Sequence, residues 1–149
     1  NQIIGVFGND VLNIYKEVFN KREGKNAFII LGYEGMDEIS TEGENFIYSN
    51  VYGEKIFNPV DLKLKEPIKS ELIGDDPNYN ANRIIDIFTG KKDSFYEIVS
   101  INAAFAFLLS SNEEPNTRNI NKYYELARSI IDTGSAENKL KDLISFSNK

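Results

Sequence analysis

The chain has 149 residues with no cysteine and no histidine, which excludes disulfides, thiolate nucleophiles, the commonest zinc sites and the usual general base. Its formal net charge of -6 is interrupted by no stripe of lysine and arginine, which argues against nucleic acid or an anionic membrane surface as a partner. With 41% apolar residues, 10 Phe and 8 Tyr, it is expected to fold as a single globular domain over residues 1–149, with chemistry limited to carboxylates, amides, hydroxyls, lysines, arginines and the backbone.

Taken in chain order, Ile3-Ile4-Gly5-Val6-Phe7 reads as a short strand, and Gly8-Asn9-Asp10 follows with turn and helix-capping chemistry. Val11, Ile14, Tyr15, Val18 and Phe19 recur at helical spacing, predicting a helix that ends near Gly24. Ala27-Phe28-Ile29-Ile30-Leu31 is apolar throughout, as expected of a strand covered on both faces. Beyond the turn that follows, residues 45–52 and 54–57 are β-prone and flank Gly53, predicting a hairpin more exposed than the first two strands. Residues 58–74 carry Pro59 and Pro67 with little periodicity and read as an ordered surface loop.

The second half reads as helical. Asp75-Asp76-Pro77 offers a cap followed by proline at the first helical position, and Ala81, Ile84, Ile85 and Phe88 define an apolar face that stops at Gly90. Ser94 and Glu97 have capping-box spacing, and Ile98, Ile101, Asn102, Phe105, Leu108 and Leu109 predict a helix central to the core. Ile120, Tyr123, Tyr124, Ala127, Ile130 and Ile131 predict a further helix ended by Gly134, with Ser135 capping a last one that bears Leu140, Leu143 and Ile144. The fold class expected is α/β, a mixed sheet flanked by helices. No apolar run approaches the ~20 residues of a spanning helix and no basic segment precedes an apolar one, so a cytoplasmic location is expected. The start at Asn1, one residue before an apolar run, reads as that of a piece of something longer.

Asp37 and Glu38 are the strongest candidate site. Adjacent carboxylates just beyond a buried strand lie where ligands gather in open α/β sheets, and they are hard oxygen ligands suited to magnesium. A solvated acidic turn competes with this reading. The apolar strand before the pair, the backbone freedom of Gly32 and Gly35, and the extra oxygen of Ser40 favour the site. Gly90-Lys91-Lys92-Asp93-Ser94 has the look of a phosphate-binding loop's end, but Ile85 stands where that pattern needs glycine, so a helix C-cap with a basic linker is expected. Asn102 is expected to hydrogen-bond a neighbouring loop, and Tyr123 and Tyr124 to serve core and rim.

Gly5-Val6-Phe7, Gly32-x-x-Gly35-Met36-Asp37-Glu38-Ile39-Ser40, Asn58-Pro59-x-Asp61-Leu62, Glu71-Leu72-Ile73-Gly74-Asp75, Asn80-Ala81, Gly90, Asn102-Ala103-Ala104 and Asp132-Thr133-Gly134-x-Ala136 occur in this order. The series, spanning nearly the whole chain, resembles the C-terminal half of the anthranilate phosphoribosyltransferase family. The resemblance implies a reaction in which anthranilate displaces diphosphate from phosphoribosyl diphosphate on the route to tryptophan. It also implies magnesium (Mg2+) on the diphosphate oxygens, with Asp37 and Glu38 as its ligands.

The family's glycine-rich diphosphate loop, lysine-bearing segment and anthranilate-contacting arginine belong to its N-terminal half and match nothing here. The resemblance therefore implies a fold incomplete without that half, no catalytic residue on this piece beyond the metal pair, and no activity in isolation. It implies a homodimer for the full-length protein and leaves the oligomeric state of the piece open. Two positions depart from the family: Leu31 stands where many members have histidine, and Lys63 where glycine is usual, which puts the conformation of that loop in question. A pyrimidine nucleoside phosphorylase of the same superfamily and a noncatalytic interaction domain of the same fold are the competing readings.

Overall fold

The structure is a computed structural model and describes residues 1–22 and 24–148. Four strands, β1 (Gln2–Gly5), β2 (Ala27–Leu31), β3 (Asn45–Ser49) and β4 (Gly53–Phe57), form one mixed sheet in that spatial order. Helix α1 (Asn9–Asn20) crosses between β1 and β2, which run parallel with Gln2 opposite Ala27 and Gly5 opposite Ile30. β3 is antiparallel to β2, and Gly53, at φ 74°, opens the β3–β4 hairpin in a conformation few other residues adopt. Four helices follow: α2 (Pro77–Phe88), α3 (Ser94–Ser110), α4 (Thr117–Asp132) and α5 (Ser135–Ser147).

Alternation along the strands divides the core in two. Phe28, Ile30, Ile47 and Phe57 pack on Ile101, Phe105 and Leu108 of α3 and on α4, with the Phe105 ring edge-on to Phe28 and Phe57 at centroid distances of 6.4 and 5.6 Å. Ala27, Ile29 and Tyr48 face the other way, onto Leu12 and Phe19 of α1. β2 is thus covered on both faces, as its unbroken apolar sequence requires. The α/β class, the mixed sheet and the central place of α3 follow the expectation.

Several local details differ from it. β3 is buried almost throughout, so of the hairpin only β4 has the expected exposure, and β1 is exposed too, because among the described residues β1 and β4 are the two edges of the sheet. Gly8, without a side-chain cap, precedes α1, and Asn9 and Asp10 fall inside the first turn. Asp76 does cap α2, accepting from the Tyr79 N–H at 2.8 Å with Pro77 at the first position. The inward face of α2 is nevertheless Arg83 and Ile87, while Ile84 and Ile85 are exposed. Arg83 turns inward because it finds partners there: the Asp93 carboxylate at 2.8 Å, the Glu71 carbonyl at 3.2 Å and the Phe95 ring at 5.3 Å.

Asp93, not Ser94, caps α3, accepting from the Phe95 and Tyr96 N–H groups at 3.0 and 3.2 Å. The Ser94 N–H and hydroxyl both donate to the Glu71 carboxylate, and Glu97 accepts from the Tyr124 hydroxyl. Gly134, at φ 75°, joins α4 to α5 and precedes Ser135, the first residue of α5, on which no side chain is buried. The surface segment 58–74 contains two 3-10 turns, Pro59–Leu62 and Lys69–Glu71. Lys63 adopts φ 56°, ψ 32°, the left-handed conformation that glycine favours, so the loop keeps its turn despite the substitution. Among the described residues no helix is long and apolar enough to cross a membrane.

Candidate functional site

The carboxyl ends of the parallel strands β1 and β2 lie side by side, and residues 32–40 fold back over both. Tyr33–Gly35 make one 3-10 turn in which Glu34 (φ 54°) and Gly35 (φ 83°) take left-handed conformations, and the Gly32 N–H closes the turn on the Met36 carbonyl at 2.7 Å. Asp37 and Glu38 occupy the bend that follows, both exposed.

Two glycines make room for this bend. A methyl group on Gly5 would overlap the Asp37 carbonyl oxygen, and one on Gly32 would overlap that of Glu38. Gly32 is extended (φ -73°), so it contributes space rather than an unusual backbone angle; Gly35 is the residue whose backbone needs glycine. Ser40 does not join the acidic pair: it is buried, and its hydroxyl accepts from the Glu42 N–H at 2.9 Å.

Beyond the pair, the chain is held by two asparagines. Asn102, on α3, accepts from the Ile39 N–H and donates to the Ile39 carbonyl, each at 2.9 Å, as expected of a residue bonding a neighbouring loop. Asn45, at the start of β3, accepts from the Ser40 N–H at 2.7 Å and donates to the Ser40 carbonyl at 3.0 Å.

Among the described residues neither Asp37 nor Glu38 pairs with a lysine or arginine. Partial desolvation, and then the charge of Asp37, pushes the Glu38 carboxyl above its ordinary range. No group of three or more acidic side chains converges among the described residues. The pair therefore offers two carboxylates to an ion, a partial set that fits magnesium, which takes one or two protein carboxylates and fills its octahedron with water and phosphate oxygens. An open cleft of about 340 Å³, bounded by Phe7, Asn9, Leu31, Tyr33 and Glu44, lies at the same end of the sheet, and the acidic pair does not line it.

The other sequence candidates are structural. Gly90 (φ 114°) terminates α2, Lys92 pairs with Asp132 at 2.6 Å, and Asp93 is bound to Arg83, so segment 90–94 is a capped linker. Tyr123 and Tyr124 are buried, with their hydroxyls on Glu113 and Glu97. Gly5 and Asn45 are the positioning residues that sequence reasoning missed. A glycine closing a β-rich run is a signal of close backbone approach, whereas nothing local marks Asn45.

The chain belongs to the glycosyl transferase family, a/b domain, whose sequence model matches residues 1–137. Within it, the chain is 34% identical over 145 residues to the anthranilate phosphoribosyltransferase of Pelagibacter ubique, covering 95% of this chain and 43% of that protein. It is 32% identical over 148 residues to that of Methanococcoides burtonii, covering 97% and 40%. Among solved structures, the anthranilate phosphoribosyltransferase of Thermus thermophilus superposes with a TM-score of 0.83 at 25% identity, over 97% of this chain and 42% of that one. The Saccharomyces cerevisiae protein in complex with PRPP and Mg has a TM-score of 0.81, and at 23% identity it speaks for the fold alone. The chain spans less than half the length of these relatives.

Proposed function

We propose that residues 1–149 form one structural unit, the C-terminal part of an anthranilate phosphoribosyltransferase catalytic domain in the cytoplasm, and that Asp37 and Glu38 are its magnesium ligands. The observation that carries this reading is an exposed acidic pair without a cationic partner among the described residues, seated on Gly5 and Gly32 at the carboxyl ends of parallel strands. The resemblance of the ordered motifs and the likeness to relatives of that name support it.

In the reaction so assigned, the anthranilate nitrogen forms a bond to C1 of the ribose as the bond from C1 to the diphosphate oxygen breaks, the electron pair leaves with the diphosphate, and the nitrogen gives up one proton to solvent. Magnesium, when bound, offsets the negative charge on the departing diphosphate. What this chain's residues do is hold the ion. A surface of net charge -6 otherwise repels a pyrophosphorylated sugar, and two carboxylates on a bend fixed at both ends keep their place as the substrate arrives. The aromatic acceptor and the other diphosphate contacts fall to the N-terminal half of the full-length protein, the partner this piece requires.

The test is titration calorimetry with PRPP and magnesium, on this chain alone and mixed with the N-terminal part of the Pelagibacter ubique relative. Magnesium-dependent binding is expected in the mixture and is expected to vanish in the Asp37→Asn, Glu38→Gln double variant. Undiminished magnesium-dependent binding by that variant overturns the metal assignment. Absence of magnesium-dependent binding by the unaltered mixture favours a noncatalytic interaction domain instead.

A further inference from the structure

Among the described residues the bend that carries Asp37 and Glu38 has no strand partner, yet it is anchored on both sides. Upstream, Met36 is held through its carbonyl by the Gly32 N–H at 2.7 Å. Downstream, Ile39 is fully buried, and its N–H and carbonyl are both satisfied by one side chain, the amide of Asn102. Donor and acceptor of that amide face acceptor and donor of the Ile39 peptide, the pairing a neighbouring strand would supply. The Asn102 amide nitrogen also donates to the Ile98 carbonyl, one turn back in α3, at 2.9 Å, which fixes the orientation of the amide plane. A helix central to the core therefore reaches across to hold the residue immediately after Glu38.

We propose that Asn102 is the positioning residue of the acidic pair, its amide locking the Ile39 peptide so that Asp37 and Glu38 stand together toward a divalent cation. The proposal rests on the metal role assigned to that pair above. Asn102 itself does not reach the ion; it acts through two hydrogen bonds and a rigid helix. An aspartate at position 102 keeps the acceptor for the Ile39 N–H but turns a second oxygen toward the Ile39 and Ile98 carbonyls, removing two of the three bonds. An alanine removes all three and leaves two buried peptide groups to find other partners.

The experiment is a manganese titration of this chain followed by nuclear magnetic resonance, with Mn2+ as the probe and broadening of the Asp37, Glu38 and Ile39 amide signals as the readout. In the unaltered chain these signals broaden first. Asn102→Ala and Asn102→Asp are expected to weaken the Mn2+ affinity by about tenfold, the low end for loss of a group that orients metal ligands, and to speed hydrogen exchange at the Ile39 amide. Leu108→Ala, a cavity in the same helix far along its sequence, serves as the stability control; it lowers the melting temperature and is expected to leave both readouts unchanged.

Unchanged Mn2+ affinity in both Asn102 variants, with broadening still centred on the pair, overturns the role of Asn102 and leaves the metal assignment standing. Equal weakening by Leu108→Ala overturns it too, since the effect then follows stability alone. If Mn2+ broadens no signal near Asp37 and Glu38 in the unaltered chain, the metal assignment and this inference fall together.

Discussion

Two acidic pairs in this chain occupy similar positions, in segments between regular elements, and are treated in opposite ways. Glu71 and Asp93 are consumed by the fold: Asp93 binds Arg83 at 2.8 Å and caps α3, and Glu71 accepts both the N–H and the hydroxyl of Ser94. Asp37 and Glu38 have comparable chemistry and, among the described residues, no lysine or arginine pairs with them. The fold supplies them with close-fitting glycines and amide anchors for their backbone, and among the described residues with no counter-charge for their carboxylates. Acidic side chains that are already neutralised stabilise; those whose backbone alone is fixed are left available to a ligand.

The electrostatics follow the same division. Burial raises the Asp93 carboxyl, but hydrogen bonds from Arg83 and the Tyr96 N–H outweigh it and hold Asp93 below its ordinary value, whereas Glu38 is held above its own. A group with a depressed native value contributes stability above its unfolded value and loses it as pH falls through the native one. A group with a raised native value does the reverse, favouring the fold only while it is protonated.

The sharpest way to break the comparison is at Gly5. Gly5→Ala drives a methyl into the Asp37 carbonyl, and the expected cost is about 3 kcal/mol, read as a lowered denaturant midpoint, with displacement of the bend visible in the Asp37 and Glu38 amide shifts. A wild-type midpoint would show that the bend does not depend on that close approach. Next in size is Asp93→Asn, which retains a cap but takes from the buried Arg83 its closer anion and leaves only Asp86 at 3.6 Å; a loss of about 2 kcal/mol is expected in urea unfolding. Between about pH 4, near the unfolded value of an aspartate, and lower pH, the unaltered chain should lose stability more steeply than this variant, because only it has the Asp93 proton to take up. Smallest is Glu38→Gln, which removes a charge that the native state disfavours. In metal-free buffer at neutral pH a rise of no more than about 0.5 kcal/mol is expected by thermal unfolding, opposite in sign to Asp93→Asn. A fall would mean that Glu38 has a stabilising partner.

The pattern of legible and illegible features in the sequence follows from range. The bounds of β2, the Asp76-Pro77 start of α2 and the inward stripe of α3 are readable because strand alternation, capping and helical period act over a few residues. The inward face of α2 is not, because a charged residue wins a buried place: Ile84 and Ile85 look like core until Asp93 and the Glu71 carbonyl, ten and twelve residues from Arg83, are brought beside it. Ser94 looks like the cap of α3 for the same reason, since only the fold shows its N–H claimed by Glu71 from 23 residues away. At the candidate site the carboxylates are visible as a dipeptide. Of their supports, Asn102 is readable as a polar residue bonding a neighbouring loop, though not which loop, while Gly5 and Asn45 come from a strand end and a second strand that only the folded topology brings to the bend. Lys63 shows the converse: its departure from the family's usual glycine puts the loop in question, and the left-handed turn forms with lysine in it.

The exposed face of β1 has a consequence for handling the chain by itself. Among the described residues its outer row of peptide N–H and C=O groups has no strand alongside, and Ile3 stands 40% exposed there. Such a border is a template on which another extended backbone can add, one molecule zipping to the next. Colloidal behaviour of the isolated polypeptide will therefore be governed less by its surplus of negative charge than by how quickly that margin finds something to pair with.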